Sequence, residues 1–67
     1  MTQHTIGTFK LNGSLLKFTT SKFGYTVELI QNNMSYNQHS QYLTEAHNCF
    51  HKNSINIMNE ETGFIIC

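Results

Sequence analysis

Apolar and polar residues alternate with period two through the N-terminal half of the chain, and short polar pairs interrupt the alternation. Residues 5–11 and 14–20 flank Asn12-Gly13, whose two residues both accept the positive φ of a type I′ turn. A two-residue loop there pairs Leu11 with Ser14, Phe9 with Leu16 and Gly7 with Phe18. Phe9, Leu11, Leu16 and Phe18 then share one face. Thr8, Lys10, Lys17 and Thr19 share the other with Ile6 and Leu15. Treating residues 21–24 as a four-residue loop continues the apolar face, with Thr20 opposite Tyr25, Phe18 opposite Val27 and Leu16 opposite Leu29. The same register sets Lys17 against Glu28 as a cross-strand ion pair, worth at most a few tenths of a kcal/mol. Asn32-Asn33 is a second positive-φ pair. It places Tyr36 opposite Leu29 and Gln38 opposite Val27, and it adds Met34 and Tyr36 to the core face. The pattern predicts antiparallel strands in up-and-down order.

The period changes over residues 41–52. Leu43, Ala46 and Phe50 fall within about 60° of one another on a helical wheel, with Cys49 on one shoulder and His47 on the other. Thr44 is the expected cap, Glu45 suits the positive end of the dipole, and Asn53 reads as the stop. Beyond it, residues 54–58 alternate around Ile55 and Ile57, and residues 63–67 are apolar. With residues 59–63 as a turn, these predict a terminal hairpin or a strand returning to a sheet edge. The fold class is therefore α+β: a four-stranded antiparallel meander with one helix on a face, in a single domain over residues 1–67.

Composition narrows the function classes. The 67 residues include four Lys, four Glu, no Arg and no Asp, for a formal charge of zero. That balance disfavours nucleic acid as a partner and equally disfavours an acidic mimic of it. Two cysteines do not make a disulfide framework. The start of the chain lacks the pattern of a secretory signal, and no apolar run approaches the roughly 20 residues of a membrane span. A cytoplasmic location is the default, with no membrane partner.

Candidate chemistry is sparse. His47 and His51 have the i, i+4 spacing that can offer two imidazoles to zinc. No acidic residue of the His-Glu-x-x-His kind accompanies them, and a third ligand would have to come from His39, His4 or another chain. Cys49 reads as a small hydrophobe rather than a nucleophile, and Cys67 as an incidental exposed thiol open to intermolecular disulfide formation. Glu28, Glu45, Glu60 and Glu61 do not converge, and no glycine-rich phosphate loop exists. Neither an enzyme, a metal site nor a cofactor is expected.

The outer sheet face is more informative. Leu15 and Ile30 are direct neighbours there, flanked by Lys10 and Ser35. Either the C-terminal segment folds back over them or they form a docking patch. Phe23 at a loop tip, Tyr36 and Tyr42 are further candidate anchors. Self-association through the patch is a second expectation.

From Gly24 to Lys52 the order strand, turn, strand, then a helix opening Leu-Thr-Glu-Ala resembles plant AP2-type and integrase arm-binding DNA domains. Those read DNA with arginine, lysine and tryptophan, whereas the matching strands here offer Glu28, Gln31, Asn37 and Gln38. Over the whole chain, a meander followed by a Thr-capped helix is similar to small phage-encoded inhibitors of bacterial defence, including anti-CRISPR proteins. That resemblance implies a non-enzymatic protein that works by occupying the surface of a host protein. Nucleic-acid binding by the sheet is the alternative.

Overall fold

A computed structural model describes residues 3–67. Strands β1 (His4–Leu11), β2 (Ser14–Ser21), β3 (Gly24–Gln31) and β4 (Met34–Ser40) precede helix α1 (Leu43–Met58). They form one antiparallel four-stranded sheet in the order β1-β2-β3-β4. The register follows the turns as read: Phe9↔Leu16↔Leu29↔Tyr36 and Phe18↔Val27↔Gln38 run across the sheet. Positive φ at Asn12, Gly13, Asn32 and Asn33 identifies both Asn-led loops as tight hairpin turns. Two details differ. Ser21 pairs with Gly24, so the second link is a two-residue turn at Lys22-Phe23 with the same register. A bulge between Thr5 and Gly7 leaves Ile6 unpaired, outside the regular outer-face row where alternation had placed it.

Leu16, Phe18, Val27 and Leu29 form the buried centre with Ala46, Cys49 and Ile57 of α1. Each large side chain so placed stabilises the fold by roughly 1.5–3 kcal/mol, as an upper bound. Phe18 is the hub, with ring centroids 5.4 Å from Phe50 and 6.1 Å from Tyr25. The helix packs chiefly on β2 and β3.

The helix is longer than the sequence pattern predicts. It continues through Asn53 to Met58, which removes the expected terminal strand or hairpin. The buried stripe is Ala46, Cys49, Asn53 and Ile57, with Phe50 half-buried beside it, a regular helical spacing in which one polar residue disguises the period. Leu43, expected in that stripe, is 52% exposed. Thr44 is not the cap. Tyr42 holds the N-cap position without a side-chain bond, while Ser40 Oγ accepts from the Tyr42 amide at 3.1 Å.

The helix ends in a Schellman arrangement, with Glu60 N–H on the Ile57 carbonyl (2.9 Å) and Glu61 N–H on the Asn56 carbonyl (3.1 Å). Glu60 occupies the left-handed position at φ 60°. A side chain there costs about 1 kcal/mol relative to glycine. Glu60→Gly is therefore expected to raise the melting temperature by about 4 °C, measured by thermal denaturation. An unchanged or lower value would show that Glu60 makes a compensating contact.

Residues 63–67 lie along the helix side of the sheet, held by side-chain amides where a strand would use backbone partners. Gln31 Oε1 accepts from Gly63 N–H at 3.0 Å. The Asn53 amide grips Ile65 at both ends, accepting from its N–H at 2.9 Å and donating to its carbonyl at 3.1 Å. Gln38 does the same to Cys67, at 2.9 Å and 2.7 Å. Between these clasps Phe64 stacks on Tyr36, centroids 6.2 Å apart and planes within 3°. Otherwise orphaned backbone groups are thereby paired by side chains of β3, of the edge strand β4 and of α1 on the core face, and not by the backbone of a sheet edge.

Candidate functional site

Strand alternation puts Leu16, Phe18, Val27 and Leu29 under α1, so their neighbours Leu15, Lys17, Glu28 and Ile30 point to the opposite face. Both α1 and the 63–67 segment lie on the core side. The outer face carries neither, which answers the question of what covers Leu15 and Ile30: the C-terminal segment does not.

Across that face the residues form rows. Lys10, Leu15, Ile30 and Ser35 make the row nearest the two Asn-led turns, and Thr8, Lys17, Glu28 and Asn37 make the next. Leu15 is half-buried and Ile30 is 38% exposed. Lys17 and Glu28 are directly opposite, but the Glu28 carboxylate takes its hydrogen bond from Ser35 Oγ at 3.1 Å; no Lys17 contact accompanies it. A short hydroxyl reaches the carboxylate more cheaply than a flexible lysine can be held. Farther along, Thr19, Thr26 and His39 complete a third row. His39 Nε2 is 2.9 Å from the Phe23 carbonyl and must donate to it, leaving Nδ1 facing Thr26 Oγ1 at 3.3 Å. That histidine braces the Lys22-Phe23 turn.

The sequence-based anchor candidates do not converge. Lys10, Leu15 and Ile30 share one end of the outer face. Phe23 and Tyr42 are exposed at the other end, separated from Ile30 by roughly 20 Å of strand. Phe23 lies under its neighbour's ammonium, with Lys22 Nζ 5.3 Å from the ring centroid. Tyr36 belongs to the opposite face, where Phe64 covers it and its hydroxyl meets Met34 Sδ at 3.4 Å. It is removed from the docking set because alternation from Leu29 places it on the core side.

The titratable groups are dispersed. Glu45 sits in the first helical turn, bonded to Ser40 Oγ at 3.1 Å, and Glu60 and Glu61 follow the helix end. His47 packs its ring 6.5 Å from Phe18, and His39 is on the far side of the sheet from α1, so it cannot join His47 and His51. Among the described residues no three His, Cys, Asp or Glu side chains gather as metal ligands would. Among them, too, no helix is long and apolar enough to cross a membrane. Burial, then the adjacent Cys67 thiol, push the Cys49 thiol up to about 12.

The amide clasps of Gln31, Gln38 and Asn53 were not among the candidates. Gln38 offered a signal, since its register placed a primary amide on an apolar face, where a buried polar group needs a partner. Comparison with protein-family models, with curated proteins and with solved structures returns no match.

Proposed function

We propose that the chain is a non-enzymatic binding protein that docks on another protein through its outer sheet face, centred on Leu15 and Ile30. The observation that supports this reading is the one-sided covering of the sheet. Helix and C-terminal segment crowd onto one face, while an aliphatic pair stays at the surface of the other. An aliphatic centre with a polar rim of Lys10, Ser35, Lys17 and Asn37 has the anatomy of a protein interface. Inhibition of a bacterial defence protein, as the phage-inhibitor resemblance implies, is the narrower form of the proposal and rests on that resemblance alone.

Size constrains how the partner engages. Four strands spaced about 4.8 Å, at about 3.3 Å per residue, present a face of roughly 400 Å². A stable complex takes about 800 Å² from each partner. The partner therefore reaches past the face onto a strand end, and the turns at Asn12-Gly13 and Asn32-Asn33 adjoin the aliphatic row.

Paired affinity capture from host lysate with the native chain and with Ile30→Lys tests this. One stoichiometric partner is expected on the native chain, bound at least about 30-fold more weakly by the variant. Equal recovery by both, with Ile30→Lys still folded, contradicts the assignment. Retardation of duplex or single-stranded DNA at low salt would replace it with the nucleic-acid reading.

A further inference from the structure

Cys49 and Cys67 are the chain's two cysteines, and both are free thiols. They come from different elements. Cys49 is buried in the stripe of α1, and Cys67 is exposed in the segment that the amide clasps fix beside it. Both sulfurs address one atom: Cys49 Sγ and Cys67 Sγ each lie 3.7 Å from the Ile65 carbonyl oxygen. Gln38 ties the arrangement together, since its Oε1 accepts from the Cys67 amide at 2.9 Å while standing 3.9 Å from Cys49 Sγ. Two thiols on a common acceptor are neighbours, and side-chain rotation together with a shift of the exposed partner is the movement that would join them.

We propose that Cys49 and Cys67 form a thiol pair that closes to an intramolecular disulfide, latching the 63–67 segment to α1. A low-molecular-weight disulfide is the oxidant class. The exposed Cys67 thiolate attacks one sulfur of oxidised glutathione, forming a mixed disulfide and releasing one glutathione thiolate. Cys49 then gives its proton to solvent and attacks Cys67 Sγ, and the second glutathione thiolate leaves. Two protein thiols lose two protons and two electrons, and one glutathione disulfide becomes two glutathione molecules once the leaving thiolates are protonated. Burial of Cys49 makes the second step the slow one, so the mixed disulfide forms first and then decays.

The test treats the full chain with oxidised glutathione, quenches with iodoacetamide, and maps peptides without reduction. The expected product is a monomer about 2 Da lighter, with no alkylatable thiol and Cys49 joined to Cys67. It melts about 10 °C higher than the reduced chain, because the new ring restricts the unfolded state. Cys67→Ser gives no linked product and leaves Cys49 protected until the chain unfolds. Three results would overturn the proposal: a persistent glutathione adduct on Cys67, a dimer linked through Cys67, or a linked monomer that melts no higher than the reduced chain.

Discussion

Asn53→Leu lowers the melting temperature by about 15 °C, the largest loss expected from any single substitution of a polar side chain in this protein. Asn53 is 1% exposed, and both ends of its amide are committed to Ile65. Leucine has nearly the same shape but leaves the Ile65 N–H without its partner and the Ile65 carbonyl with only the weak thiol donors at 3.7 Å. Each group so deprived costs about 1–3 kcal/mol, so the sum is about 3 kcal/mol. In a chain this small each kcal/mol moves the transition by about 4–8 °C. Gln38→Leu breaks the parallel clasp on Cys67, which is exposed, so water replaces the lost bonds and the cost falls to about 1 kcal/mol. Thermal melts of the two variants check the ordering. Equal small effects would show that the C-terminal segment contributes nothing to the folded state.

Gly24→Ala is the second large effect, for a different reason. Gly24 has φ 129°, and a Cβ there would stand 2.6 Å from the Ser40 carbonyl oxygen of the neighbouring strand. Neither the backbone angle nor the opposing backbone can yield without breaking the β3–β4 pairing beside Tyr25 and Ser40. We expect a loss of about 3 kcal/mol by urea denaturation, of which the backbone angle alone accounts for about 1 kcal/mol. Gly13→Ala separates the two contributions: its φ is 85° and a Cβ there meets nothing within 4 Å. A loss of about 1 kcal/mol at Gly13 and about 3 kcal/mol at Gly24 fits the steric account. Equal losses would assign the whole effect to backbone angle.

The sheet was legible because its signals are local and agree with one another. Asn12-Gly13 and Asn32-Asn33 fix two registers, and a wrong register would turn every aliphatic residue to the opposite face. The Lys22-Phe23 turn shows the limit of that logic: a two-residue turn and a four-residue loop give the same pairing, so the pattern could not distinguish them. The second half of α1 was hidden by Asn53. A polar residue at a helix-stripe position resembles a terminator, and it takes a partner far along the chain, Ile65, beside the local Cys49 carbonyl, to make it a core residue. Once Asn53 is read as the end, Ile55 and Ile57 look like alternating strand positions rather than two sides of the last helical turns. The same long-range pairing brings Cys67 to Cys49, which no spacing within either segment announces.

For the candidate docking face, sequence placed Lys10, Leu15 and Ile30 together correctly because register alone decides their neighbours. Tyr36 lies on the core face, where the register read from the turns places it, so it does not share the face of Lys10, Leu15 and Ile30. Phe23 and Tyr42 depended on where the turns and helix entry sit relative to that face, which alternation does not encode.

Methyl NMR of the free chain with a soluble paramagnetic probe tests the open outer face most directly. The Leu15 and Ile30 methyl signals should broaden strongly while those of Leu16 and Leu29, at 0% exposure, stay sharp, and adding the captured partner should restore Leu15 and Ile30. Leu15 and Ile30 methyls as protected as Leu16 and Leu29 in the free chain would mean that the face is already covered, and the proposed docking surface would not exist.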